Sequence, residues 1–464
     1  MSNKKMHFEI SERKMILRFF DVLFVLAALY SIGNGFDLDY LQASVSNFYV
    51  VLVLAIYINV FGAIFEMYDL QVASNEFQIL KSTLLTVSTT VLVYLLTPVF
   101  SPELPKNRLQ ILAFYVVVFV TLILWRLFYV RFLASNRFLQ NAVLICDREQ
   151  VEELILGLES IDPHYKIIGY VSADTTKSID LKHHHYVEPI NKNDLASFVK
   201  KNGVSEIVIA SQETAGITAE LYQQLIQMLE SGKLIREYTQ VYESKTHRIP
   251  VQYIERDFYR FFPFSRNNHN KLYLSIVRII EIGLSLLGLV FCVVFMPFIV
   301  VGNAIDNRGK LFYTQERVGK DGEVFSIWKF RSMKNDSESN GAVFSTNGDT
   351  RVTAFGKFMR KTRIDEFPQF LNVLKGDMAV VGPRPERPFF VKEISEVMPF
   401  YETRHIIKPG LTGWAQVNYS YGASIDDSLI KLQYDLYYIK HRSFYLDLNI
   451  ALKTITTVLF YRGQ

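Results

Sequence analysis

The sequence predicts a multidomain membrane protein. It reads as a four-helix transmembrane bundle, a small doubly wound α/β domain, and a C-terminal α+β region with a re-entrant membrane helix and interfacial amphipathic helices. Three observations predict this. Half of the 464 residues are hydrophobic, with 36 Phe and 26 Tyr, yet 21% are charged, so the chain is neither wholly bilayer nor wholly water-soluble. Four long apolar runs fill the first 131 residues. Beyond them short apolar strands alternate with helical patterns, and another long apolar stretch precedes a region punctuated by Gly and Pro.

The apolar runs lie at about residues 15–33, 48–68, 78–99 and 110–131, inside a first domain of residues 1–138. Each reaches the roughly 20 residues that a helix needs to cross about 30 Å of hydrocarbon. Lys4, Lys5, Arg13, Lys14 and Arg18 open the first run, Arg126, Arg131 and Arg137 close the fourth, and the first loop carries Asp37 and Asp39. The positive-inside rule then puts both ends of this multi-pass bundle in the cytoplasm. Lys106 and Arg108 in the third loop run against that trend. No small-residue cleavage site follows the first run, so no cleavable leader is expected. Few ionisable residues interrupt the four runs, which argues against a transporter. A net charge of +4 is too small to argue for nucleic acid, while local basic clusters suit anionic lipid or phosphate. Cys146 and Cys292 sit in separate apolar runs and read as small buried hydrophobes, with neither disulfide nor zinc spacing.

Residues 139–255 form the second domain. "AVLIC" (Ala142–Cys146), "KIIGYV" (Lys166–Val171) and "EIVIA" (Glu206–Ala210) read as buried parallel strands, with helical patterns at 193–201 and 216–231 between and after them. That alternation is Rossmann-like. A dinucleotide site would place a Gly-rich turn after the first strand. Here the turn reads "CDREQVEEL", so a structural or regulatory role is expected, including support of a homodimer. Three consecutive histidines at 183–185 cannot all face one metal and read as a solvated loop.

The third domain covers residues 256–464. Its apolar stretch, about 273–305, contains Arg278 and Glu281 near the start and Pro297 near the end. Lys271 and Arg278 flank one side and Arg308, Lys310 and Arg317 the other, which favours both ends on the cytoplasmic face. Pro297 can bend the helix, so a re-entrant helix is expected, with a simple span as the alternative. The tail Tyr445–Phe460 has an apolar stripe that suits either the membrane interface or the core.

Chemistry concentrates around "TRIDEFPQF" (Thr362–Phe370), where Asp365 and Glu366 are adjacent. Neighbours on a helix point about 100° apart, so the two acids cannot face each other as a glycosidase pair does. They can take separate roles on one phosphate, one attacking and one holding a metal. Pro368 predicts a helix start, and Gly376 its end. The helix N-terminus, with Arg360 and Arg363, is expected to keep Asp365 ionised. An isolated pair of this kind would be read as helix capping with ion pairing. Around it stand "VVGPRPERP" (Val380–Pro388), where Pro383 and Pro385 stiffen the chain around Arg384, and "QERVG" and "KFRSM", which supply Arg317, Lys329 and Arg331. "YDLYYI" (Tyr434–Ile439) adds Asp435 as a polar contact.

In this order, "QERVGKDGEVFSIWKFRSM", "RKTRIDEFPQFLNVLKGDMAVVGPRPE", "KPGLTGWAQVN" and "YDLYYI" resemble the catalytic region of the bacterial sugar transferase family over about 270–464. These are the monotopic phosphoglycosyl transferases, or polyprenyl-phosphate hexose-1-phosphate transferases, which start exopolysaccharide, capsule or O-antigen synthesis. The bundle and α/β domain upstream are similar to the large form of the family. The resemblance implies that Asp365 attacks the sugar-bearing phosphate of a nucleotide diphosphate sugar, usually a UDP-sugar. UMP leaves, and a sugar-phosphoryl-aspartate then transfers to undecaprenyl phosphate. It implies Mg²⁺ on Glu366, phosphate contacts from Arg360, and nucleotide contacts from Pro383–Pro385. The family's pattern near the membrane junction is replaced here by Arg278 with Glu281 and by "DNRGK" (Asp306–Lys310).

Overall fold

A computed structural model describes residues 10–68, 76–133, 140–147, 151–159, 165–172, 187–210, 218–251, 265–334, 349–398, 400–419 and 424–459. The three histidines at 183–185 and the turn at 148–150 lie outside these residues. The chain divides into two compact units, Met1–Thr246 and His247–Gln464.

The first unit opens with α1 (Ile10–Gly35), α2 (Asp39–Ser46), α3 (Phe48–Ile64), α4 (Glu76–Leu96) and α5 (Leu109–Phe128). Their apolar stripes meet in one core of Val25, Leu29, Leu54, Ile58, Val87, Val91, Phe114, Val118 and Leu122. The second apolar run does not form one straight span. α3 has 17 residues, about 25 Å at 1.5 Å per residue, and α2 meets it at a bend of 94°. Among the described residues four helices are long and apolar enough to cross a membrane: Lys14–Gly35, Gln78–Leu96, Leu109–Arg131 and Lys271–Asn307; the bent pair makes a fifth if counted as one span.

Inside the bundle Arg126 Nη2 donates to Asp21 Oδ2 at 2.5 Å, with side-chain exposures of 1% and 0%. Arg18 and Arg126 both lie over the Tyr68 ring, at 5.0 and 5.2 Å. A lone charge in hydrocarbon is costly, so the two charges are buried as a pair. The apolar-run reading passed over Asp21 and took Arg126 for a flank.

The α/β part follows as β1 (Gln140–Cys146), α6 (Val151–Glu159), β2 (Tyr165–Ser172), β3 (Glu188–Pro189), α7 (Leu195–Lys201), β4 (Glu206–Ile209), α8 (Ala219–Glu230), β5 (Leu234–Glu237) and α9 (Tyr238–Thr246). Its sheet has the order β3-β2-β1-β4-β5, with every neighbouring pair parallel. This is the doubly wound arrangement expected from the buried strand runs. Cys146 is free and buried at the end of β1, as its apolar run implied.

The second unit begins with Ile249 and Val251 in its own core. Then comes α10 (Lys271–Gly302), capped by Asn270 Oδ1, which accepts from the backbone N–H of Leu272 and Tyr273. The helix carries Pro297 inside it and runs on through a π turn to Asn307. After it come β6 (Phe312–Val318), β7 (Val324–Phe330), α11 (Ala354–Lys361), a 3₁₀ turn (Ile364–Gln369), α12 (Phe370–Lys375), β8 (Ala379–Val381), α13 (Pro388–Val397), a second 3₁₀ turn (Tyr401–Ile406), β9 (Gly410–Thr412), α14 (Trp414–Asn418), α15 (Ile425–His441) and α16 (Phe444–Leu459). β6 and β7 form an antiparallel hairpin, and β8 pairs with β9 in parallel. Phe390, Ile394, Trp414, Leu432, Leu436 and Ile450 are central to the core. α16 thus buries one edge in that core while Tyr445, Leu448 and Ile455 stay exposed.

The rest of this unit packs along the whole of α10. Near the helix start Tyr273 donates to Asp447, and Arg278 donates to the Val373 and Leu374 carbonyls at 2.6 and 2.7 Å. Arg278 also pairs with Glu281 at 3.5 Å. Phe370 sits on Gly288, where any Cβ would collide with its ring. Cys292 and Ile299 join Phe330 and Met359 in a small core, and Asn307 Nδ2 donates to the Arg331 carbonyl at 2.6 Å.

Candidate active site

Two segments bring the acids and bases together. β7 holds Lys329 in register opposite Tyr313 of β6. The 3₁₀ turn after α11 carries Asp365 and Glu366 in its first turn. The acids are therefore on a 3₁₀ turn, and the α-helix predicted to start near Pro368 begins at Phe370 and ends, as predicted, at Gly376 with φ +96°. Three residues per turn separates adjacent side chains more widely than an α-helix would. Arg363, just before the turn, is left-handed at φ +59°, a conformation that costs energy for a non-glycine residue and is held by its surroundings.

Glu366 is the focus of the positive charge. Lys329 Nζ and Arg384 Nη2 each donate to its Oε1 at 3.0 Å, and Arg363 Nη1 donates to its Oε2 at 3.4 Å. Burial raises its carboxyl, but Lys329, Arg384 and Arg363 more than offset this and hold it well below the ordinary carboxylate range. Asp365 is buried and its Oδ1 has no hydrogen-bond partner. Burial and then the charge of Glu366 push its carboxyl up, against the pull of Lys329, Arg360 and Arg363. Arg360 and Arg363 act in the direction expected of them and lower the Asp365 carboxyl, while desolvation acts the other way and is the larger effect.

The Pro-Arg-Pro loop is fixed by its neighbours. Gly382 N–H donates to Thr412 O at 2.9 Å and Gly410 N–H to Pro383 O at 2.8 Å, and a Cβ on either glycine would strike the other strand's backbone. Arg317, half-buried on β6, donates to Pro385 O at 3.2 Å and pairs with Glu386 at 3.3 Å. A cleft is lined by Arg317, Lys329, Gln369, Arg384, Pro385 and Gly410.

Not every expected contact faces this cleft. Arg331 donates to Lys310 O at 3.0 Å, on the side of the α10 end. Arg360 donates to Ser332 Oγ at 3.0 Å while still acting on Asp365 through its charge. Asp435 is 1% exposed, and its Oδ2 accepts from Arg404 Nη2 at 2.7 Å. Buried charges pair. The same Arg404 nitrogen donates to Arg384 O at 2.9 Å, so Asp435 and Arg404 brace the backbone of the arginine that reaches Glu366.

The sequence reading missed Arg404 and Gln369. Arg404 is isolated in sequence and carried no local signal. Gln369 did carry one, because it lies three residues after Glu366, one 3₁₀ turn on. It is buried in the cleft with its amide Nε2 unpartnered.

Comparison with known proteins fits this geometry. A family model described as bacterial sugar transferase matches residues 272–461, and one described as a CoA-binding domain matches 63–217. A galactosyl transferase of Streptococcus agalactiae is 30% identical over 340 residues, 70% of this chain and 72% of that protein. The chain belongs to the bacterial sugar transferase family. Other relatives of this family member match shorter stretches of the chain. A UDP-N-acetylgalactosamine-undecaprenyl-phosphate N-acetylgalactosaminephosphotransferase of Aeromonas hydrophila is 46% identical over 188 residues, 40% of this chain, and that match spans 44% of the relative's length. A UDP-glucose:undecaprenyl-phosphate glucose-1-phosphate transferase of Xanthomonas campestris is 41% identical over 167 residues, 35% of this chain and 34% of the relative.

Proposed function

We propose that this protein transfers a sugar-1-phosphate from a nucleotide diphosphate sugar, a UDP-hexose, to undecaprenyl phosphate, releasing UMP. The convergence of Lys329, Arg363 and Arg384 on Glu366, beside the buried Asp365, carries this reading. A nucleotide diphosphate sugar brings a pyrophosphate that can take over the charge of these cations. In the first half-reaction an Asp365 oxygen bonds to the sugar-bearing phosphorus as the bond to UMP breaks. In the second, an oxygen of the lipid phosphate displaces Asp365 and yields a lipid diphosphate sugar. Asp365 attacks as its carboxylate, the form that Lys329, Arg360 and Arg363 favour against burial.

The donor set fits Mg²⁺ in kind, since that ion takes one or two carboxylates together with substrate phosphate oxygens, and Asp365 Oδ1 is buried without a partner. Glu366 would hold the ion through its Oε2, which has only the longer Arg363 contact. Bound there, Mg²⁺ would neutralise charge on the transferring phosphate.

The reaction needs the acceptor's phosphate at the membrane surface and the nucleotide sugar in water. Contacts from a single unit along α10, from Tyr273 to Asn307, support a helix that enters the bilayer and returns, with both ends on the cytoplasmic face of the inner membrane. A helix that crossed would draw the polar contacts at its two ends to opposite sides.

Purified full-length protein incubated with undecaprenyl phosphate, Mg²⁺ and a panel of UDP-sugars should release UMP with at least one sugar. No UMP from any of them would sink the reading.

A further inference from the structure

A cavity of about 430 Å³ lies between the last turns of α10 and the first turn of α11. Phe298, Val301, Gly302 and Ile305 form one wall and Ala354 with Phe355 the other. Gly302 makes the approach possible, since a Cβ there would fall inside the Phe355 ring. Phe298 packs edge-on against Phe355 and Phe358, at 5.8 and 6.1 Å between ring centroids. Val301, Ile305 and Phe358 remain exposed. The acid in the lining, Asp306, is engaged: its Oδ2 accepts from the Phe355 N–H at 2.6 Å and starts α11.

The surroundings of this groove are polarised. At its Ile305 end Arg308 Nε donates to Ile305 O at 3.3 Å, and Lys310 follows. α11 carries Lys357 and then Arg360 and Lys361 in its last turn. Its 8 residues span about 12 Å, leading directly into the turn that holds Asp365. Arg360 is close enough to act on the Asp365 carboxyl. An apolar channel at one end of a short helix and cations beside a nucleophile at the other match an amphiphile with an apolar chain and an anionic phosphate head. The exposed apolar residues earlier on α10, such as Leu286 and Val293, do not line this cavity.

We propose that this groove seats the first isoprene units of the polyprenyl phosphate acceptor, so that its phosphate is led along α11 to Arg360 and Asp365. The identity of the occupant rests on the reaction proposed above. Full-length protein in phosphatidylethanolamine–phosphatidylglycerol nanodiscs gives the test. The double substitution Val301→Asn with Ile305→Asn should raise the KM for undecaprenyl phosphate about tenfold or more and leave the KM for the nucleotide sugar unchanged. Leu286→Asn with Val293→Asn, on the same helix outside the groove, should change neither. An unchanged acceptor KM in the groove variant, or an equal rise in the control, overturns the proposal. A second readout needs no turnover. A prenyl phosphate with a diazirine in its first isoprene should label residues 298–306 or Phe355 of the wild type, and excess undecaprenyl phosphate should suppress this while phosphatidylglycerol does not. Labelling elsewhere, or equal suppression by both lipids, marks an ordinary bilayer lipid site and defeats the proposal. Absence of UMP with every donor would defeat the reaction instead, and the labelling would still report on the groove.

Discussion

At Asp365, burial and the Glu366 charge raise the carboxyl, while three cations hold Glu366 ionised one residue away. Asp365→Asn is nearly isosteric and replaces a group already pushed toward its neutral form. Turnover should fall at least about ten-thousandfold and any labelled sugar-phosphate adduct should vanish. Stability should change by less than about 1 kcal/mol, read as an unshifted melting curve. Retained activity would remove Asp365 as the nucleophile. Gln369 makes a second residue-scale prediction. It lines the cleft and its buried Nε2 has no partner, so Gln369→Leu removes no hydrogen bond of that donor from the free protein. The substitution should lower kcat/KM for the nucleotide sugar about 10- to 100-fold, the size of a lost bond to a charged group, with an unchanged or higher melting temperature. Equal kcat/KM would show that the amide does not touch the donor. "TRIDEFPQF" made the acids legible because adjacent carboxylates among arginines are unusual. It could not show that Gln369 is buried or that Asp365 is desolvated, because burial depends on segments far away in sequence.

At the scale of elements, α10 decides where the second unit lies. If it enters and leaves the bilayer on one side, His269→Cys and Lys310→Cys, near its two ends and both exposed, should react alike. An impermeant maleimide should label both in inside-out vesicles and neither in intact spheroplasts. Labelling from opposite sides would establish a crossing helix. The 3₁₀ turn at 401–406 carries a different prediction. Burial, aided by the Arg404 charge, depresses His405 to about 4, and burial against Arg404 raises Asp435 to about 6. His405 therefore contributes stability that is full above about 6.5 and lost as pH falls toward 4, worth roughly 3 kcal/mol. Asp435 does the opposite: its contribution is full below about 3.9 and is lost as pH rises through 6. The two nearly cancel between pH 4 and 6. His405→Gln should therefore gain stability relative to wild type as pH drops from 7 to 4, by roughly 3 kcal/mol in a paired melting series. A pH-independent difference would refute the assignment.

For the whole molecule, the sequence by itself determined the order of parts. Apolar runs about 20 residues long, short strand runs and the acid–arginine motifs were each legible because they are local in the chain, set by helix rise, strand period and turn residues. The parallel sheet and the termination of α12 at Gly376 followed from these alone. The tertiary structure decided what depends on chains meeting in space. It bent α2 against α3, and it joined Asp21 to Arg126 across 105 positions, because a charge in an apolar bundle must find a partner. It buried Asp435 against Arg404, and it gathered Lys329, Arg363 and Arg384 onto Glu366. Composition and spacing specify which groups are available. Desolvation specifies which of them must pair with one another and which remain poised for a ligand, and that is fixed only when the distant segments close around them.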